Sequence, residues 1–208
     1  MLIILFLILS PERDYFSFAS SIVGVTALIF AAKGNPFGQV LMIIFCLMYG
    51  IISFSCSYYG EVLTYVFMTG PMAVYALISW LKNPYEGNKA EVKVNKMKNG
   101  EIIFMIFATI VVTIVFYFVL NAFGTANIVV STLSVSTSFM AVYLTARRSP
   151  FYAIAYALND IVLIILWTVA TVRDPSYATT LACFAVFLAN DIYGFISWKA
   201  MEKRQSKK

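Results

Sequence analysis

The chain has 208 residues, 61% hydrophobic and 12% charged, and its apolar residues fall in runs of about 20 between short polar breaks, the pattern of bilayer-crossing helices rather than of a soluble domain. The net charge of +5 does not point to nucleic acid, because the basic residues sit between and after the apolar runs, where membrane topology places them. With 3 cysteines, all in apolar runs without CxxC spacing, and 0 histidines, neither a disulfide framework nor a transition-metal site is indicated, and no cofactor is expected.

Residues 1–10 are apolar, but ten helical residues cover only about 15 Å of a hydrocarbon core about 30 Å thick. They read as an anchor or as the tail of a further helix, and with the polar break Pro11–Asp14 they make up segment 1–14. The first full span covers about 15–32 and ends at Lys33-Gly34-Asn35; Pro36 suits the first turn of the second, about 36–57. Gly70-Pro71 lies near the middle of the third span, about 60–81, where the missing amide and the ring predict a kink. A polar loop from Lys82 to Glu101 leads to a fourth span, about 102–120, that looks like a lipid-facing linker. The fifth, sixth and seventh spans fall near 127–146, 150–172 and 178–200, followed by a basic tail, 201–208. Trp80 and Trp198, at span ends beside Lys82 and Lys199, are expected as interfacial anchors.

Charge predicts orientation. If the spans alternate, 13 of the 15 basic residues fall on one side and only Arg13 and Arg173 on the other. By the positive-inside rule the first side is cytoplasmic and carries the C-terminus. The chain also repeats itself. Tyr75-Ala-Leu-Ile-Ser-Trp80 matches Tyr193-Gly-Phe-Ile-Ser-Trp198, and Ala32-Lys-Gly-Asn-Pro-Phe37 matches Ala146-Arg-Arg-Ser-Pro-Phe151. The expected fold is therefore an all-α membrane protein of seven helices: two parallel three-helix repeats, 15–81 and 127–200, joined by the loop and linker helix of 82–126. Substrate would bind between the repeats.

Polar groups inside apolar spans are candidate functional residues by cost alone. On the sixth span Tyr152, Tyr156, Asn159, Leu163 and Trp167 form one stripe at helical spacing, with Asp160 beside it. Rings and an amide suit a flat heterocycle with a polar edge, while packing between helices explains the same stripe without a ligand. On the seventh span Phe187, Asp191 and Gly194 share a face next to Asn190. Asp160 and Asp191 would bind a hydroxylated substrate, accept a proton or cap a neighbouring helix. Read as acid and base they would make a membrane-embedded enzyme, but no nucleophile–base spacing or metal cluster accompanies them; a structural subunit is the third reading.

At these residues the chain resembles the Pnu-type vitamin transporters, whose best-known members carry nicotinamide riboside. The resemblance rests on the seven-span plan, the three-one-three repeat, Asn159, and the ending Asn190-Asp191-x-Tyr193-Gly194-x-x-x-Trp198. It implies a SWEET-like architecture in the cell membrane, no enzymatic activity, and facilitated diffusion of a small riboside or nucleoside, with a cytosolic kinase trapping the product. Thiamine, riboflavin and deoxynucleosides are the substrates of related carriers. A homo-oligomer is compatible with the family. Riboside carriers share a Trp-x-x-Trp-x-x-x-Asn motif on the sixth span; here Tyr152 and Ala155 stand at the Trp positions. That departure predicts a wider, less aromatic pocket that prefers a nucleoside.

Overall fold

The computed structural model describes residues 15–125 and 127–207; the apolar segment 1–10 lies outside the described residues. Among the described residues seven helices are long and apolar enough to cross a membrane: α1 Tyr15–Ala32, α2 Phe37–Ser55, α3 Tyr59–Lys82, α4 Asn99–Ala122, α5 Ile128–Ala146, α6 Tyr152–Arg173 and α7 Pro175–Gln205. The expected spans agree with these bounds except in α7, which carries the helix through most of the basic tail instead of ending near residue 200.

Six helices close on one another in the order α1, α2, α3, α5, α6, α7, with α7 returning to α1. The fourth stays outside, packed on α5. Only 6% of its most apolar stretch is buried, against 39–50% in the other six, and Ile103, Phe104, Phe107 and Phe118 project outward. A helix apolar all round and buried on one narrow side needs lipid on the rest.

Beside Gly70-Pro71, where a kink was expected, α3 contains a π-helical turn, Leu63–Thr69. Gly70 N donates to Tyr65 O, five residues back, and this wider turn absorbs the amide and the space that Pro71 takes away.

Residues 82–101 were expected as a plain polar loop; instead β1, Pro84–Tyr85, pairs antiparallel with β2, Asn88–Val92. The two-residue connection is Glu86-Gly87, both with positive φ (48° and 80°), as a twisted hairpin turn requires. The hairpin is fastened to the bundle. Val92 N donates to Gly34 O at 2.9 Å, Asn95 N to Arg148 O at 3.0 Å, and Val94 N to Gln205 Oε1 at 2.8 Å, while Arg204 pairs with Glu91. The loops carrying most of the basic residues thus meet at one end of the bundle, with the C-terminal turns of α7 acting as a clamp rather than a free tail.

The repeated sequence builds the same turn twice. After α1, Gly34 N donates to Ala31 O and Asn35 N to Phe30 O; after α5, Arg148 N donates to Thr145 O and Ser149 N to Leu144 O. Gly34 and Arg148, paired by the sequence match, both take positive φ, 67° and 58°. Glycine is at ease there; arginine is strained.

Trp80 and Trp198 are not interfacial anchors. Both are fully buried, and their rings contact each other at 5.3 Å between centroids. Trp80 Nε1 donates to Thr145 O and Trp198 Nε1 to Ala31 O, each at 2.9 Å. The third helix thus bonds the fifth, and the seventh bonds the first, through indoles that the sequence match pairs. An indole with an internal carbonyl acceptor loses its reason to seek the interface.

Candidate functional site

Between the helices, roughly midway along them, lies a closed cavity lined by Leu28 (α1), Met42 and Phe45 (α2), Tyr65 and Thr69 (α3), Tyr156 and Asp160 (α6), and Phe187 and Asp191 (α7). Its volume is about 10 Å³, room for about one water and far short of the several hundred Å³ a small-molecule pocket needs. A small molecule would fit here only with these side chains parted. The rings pack edge to face or tilted, with Phe45 at 5.3 Å from Phe187 and 6.1 Å from Tyr65.

Sequence patterning had already picked out four of the lining residues. Tyr156, Asp160, Phe187 and Asp191 come together here, and the two carboxyl groups, each almost fully buried, interact directly across the α6–α7 seam. Asp160 Oδ2 has no hydrogen-bond partner.

The other five candidates lie outside the lining. Tyr152 packs edge-on against Trp198 at 5.0 Å. Asn159 Oδ1 accepts from Thr137 Oγ1 at 2.8 Å and Ser138 Oγ at 3.0 Å, so this amide ties α6 to α5. Trp167 Nε1 donates to Tyr49 Oη at 2.6 Å, joining α6 to α2. Gly194 sits where a methyl group would just touch Tyr152, Ala32 and Ala153, and Asn190 is half-buried. Because Tyr152 is engaged by Trp198, the aromatic walls come instead from Phe45, Tyr65, Tyr156 and Phe187, and the expected loss of aromatic surface is not what the cavity shows.

Sequence reading missed the first half of the site entirely. The repeat held the signal: the turn alignment pairs Met42 with Tyr156, and the Trp80/Trp198 alignment pairs Thr69 with Phe187, so two contributors from α2 and α3 follow from those of α6 and α7. Glu61 was also missed. It is fully buried near the start of α3, with Ser134 Oγ donating to Oε2 at 3.5 Å.

Aromatic clusters close the cavity toward both ends. On one side stand Trp80, Trp198 and Tyr152. On the other, Tyr49 stacks edge-on against Tyr65 at 4.4 Å and meets Trp167 and Phe184, while Tyr58 and Tyr177 cover Trp167. A larger crevice, about 390 Å³, lies at the basic end under the hairpin. Its walls are mostly apolar residues such as Ile102, Met105 and Leu144, and it holds none of the buried carboxyl or amide groups.

A polar, aromatic cavity sealed at both ends within a ring of membrane helices is the arrangement of a carrier for a small molecule. A model of the nicotinamide mononucleotide transporter family matches residues 14–200, and the chain belongs to that family, one of transporters rather than enzymes. It is similar to the nicotinamide riboside transporter PnuC of Neisseria mucosa, with 23% identity over 203 residues that cover 96% of this chain and 77% of that protein. It also superimposes on the crystal structure of the vitamin B3 transporter PnuC with a TM-score of 0.83 and 22% identity, over 98% of this chain and 91% of that one. At that identity the superposition speaks for the fold.

Proposed function

We propose that this protein carries a nicotinamide riboside-type substrate across the cell membrane by facilitated diffusion, binding it in the cavity between two three-helix units, residues 15–81 and 127–200. The observation that carries the reading is the cavity itself: four rings suited to an aromatic base, and carboxyl and hydroxyl groups suited to ribose, at the meeting of the two halves. The reciprocal indole bonds and the twice-built turn favour a parallel duplication about an axis normal to the membrane, with segment 82–126 as connector. Asn159, Tyr152, Trp167, Asn190 and Gly194 act behind the lining, holding the helices that present it.

The family takes its description from a mononucleotide and the Neisseria relative from a riboside. The cavity favours the riboside. Among its described lining residues none is basic, and a phosphate brought against Asp160 and Asp191 would meet like charge with nothing to neutralise it. The basic end is assigned to the cytoplasm by the positive-inside rule, which leaves imported riboside open to a cytosolic kinase there. Thermal shifts of the purified protein against nicotinamide riboside, its mononucleotide, thymidine, deoxyadenosine, thiamine and riboflavin test the assignment. Stabilisation by the riboside and not the mononucleotide is expected. A response to thiamine or riboflavin alone moves the assignment to those substrates, and no response to any of the six refutes it.

A further inference from the structure

Resting on that reading of the cavity, we propose that Asp160 and Asp191, inside the cage of Phe45, Tyr65, Tyr156 and Phe187, select substrates by the positive charge of their aromatic ring. The protein would then take N-substituted pyridinium or similar cationic heterocycles and discriminate against neutral nucleosides of the same shape.

Three observations converge. Two carboxyl groups line a cavity of about 10 Å³, and each is almost fully buried. Withdrawn from water and set against each other, the two carboxyl groups can both ionise only beside a positive partner, and no described lining residue is Lys or Arg. Asp160 Oδ2 has no hydrogen-bond partner, and the group facing Asp160 is the like carboxyl of Asp191. The Thr69 hydroxyl lacks a hydrogen-bond partner too, and neither it nor the Tyr65 and Tyr156 hydroxyls of the lining carry a positive charge with which to balance a carboxylate.

The rings add to this. An aromatic face is electronegative, and rings gathered around a small space form the kind of cage that holds quaternary nitrogen. Phe45 is the hub here, touching Tyr65 and Phe187 at 6.1 Å and 5.3 Å. A flat cation entering between them would meet ring faces and carboxylates together, replacing lost hydration with both. A neutral base would gain the stacking alone and would bring the carboxyl pair no countercharge. This reverses the nucleoside preference expected from the sequence, because that expectation followed Tyr152 and Ala155, and Tyr152 packs on Trp198 instead of lining the site.

The discriminating pair of ligands is nicotinamide riboside and its neutral 1,4-dihydro form, which differ in ring charge and hardly in size. Competition for counterflow of labelled nicotinamide riboside into liposomes holding the full-length protein measures both. The wild type is expected to favour the charged form by roughly tenfold or more. Asp160→Asn and Asp191→Asn, nearly isosteric, should each bring the ratio toward one, chiefly by weakening the charged form. Equal competition by the two forms in the wild type overturns the inference while leaving riboside transport standing, and so does an unchanged ratio in well-folded Asn variants. If neither form is exchanged or bound by the wild type, the transport reading fails and the inference with it.

Discussion

Replacing Trp198 by Phe, Trp80 by Phe, and then both, probes the seam that ties α7 to α1 and α3 to α5 at the basic end. Each indole N–H donates at 2.9 Å to a carbonyl, Ala31 O or Thr145 O, that already accepts a turn amide, from Gly34 or Arg148. The carbonyl is not orphaned when the indole goes, so the bond itself is worth only about 1 kcal/mol. The smaller ring in a fully buried site adds about 1–2 kcal/mol of lost burial and packing. Each single change should therefore cost about 2–3 kcal/mol. Because the two rings touch at 5.3 Å, the double change should cost less than the sum, by about 0.5–1.5 kcal/mol. Buried Cys46 and Cys183 provide the assay, since a thiol-reactive fluorophore reports unfolding in detergent when they become exposed. Equal costs support equivalent roles for the two residues. A large loss for one and none for the other would falsify the proposed equivalence of the two indoles.

Other outcomes follow from single positions. A methyl at Gly24 would approach Phe187 Cζ to 2.5 Å and Phe45 Cδ2 to 2.8 Å; Gly24→Ala should push both rings into the cavity and weaken substrate affinity by roughly 1–3 kcal/mol while the protein still folds, which ligand titration of the purified variant measures. Asn159→Leu removes the acceptor of the Thr137 and Ser138 hydroxyls and should lower stability by about 1–3 kcal/mol; an unchanged melting temperature would show that the α5–α6 tie is dispensable. Arg148 holds a φ of 58° where its counterpart is Gly34, so Arg148→Gly should relieve strain and raise stability by about 1 kcal/mol, and a drop in melting temperature would mean that the side chain matters more than the backbone.

Much of the fold was legible because lipid allows the chain few alternatives. Apolar runs of sufficient length must become helices, and Lys33, Arg147 and the loop lysines told which ends belong together. The repeat was visible in two short matches, and the structure places the same hydrogen bonds at both. Partnership was harder to see. Trp80 and Trp198 carry the composition of interfacial residues, and only tertiary contact reveals carbonyls waiting inside for their N–H groups. The hairpin turning at Glu86-Gly87 was not legible, because in a charged segment without alternating apolar residues the strands beside it have no pattern of their own. In the site, Asp160 and Asp191 stood out because carboxyls are costly in a membrane. Phe45 and Tyr65 did not stand out, since a ring in an apolar helix looks the same whether it faces a substrate, a neighbour or lipid. Asn159 looked like a ligand for the same reason that Asp160 did; its actual partners lie on α5, which sequence spacing along α6 does not reveal.

Passive carriage of a riboside is tested most directly in liposomes that contain this protein alone. Preloaded with unlabelled nicotinamide riboside, they should draw in labelled riboside from outside until the specific activities match, return it chemically unchanged, and show no net accumulation above the external concentration under an imposed pH gradient. Uptake no faster than in empty liposomes, chemical conversion of the riboside, or uphill accumulation driven by the gradient would each contradict facilitated diffusion through this cavity.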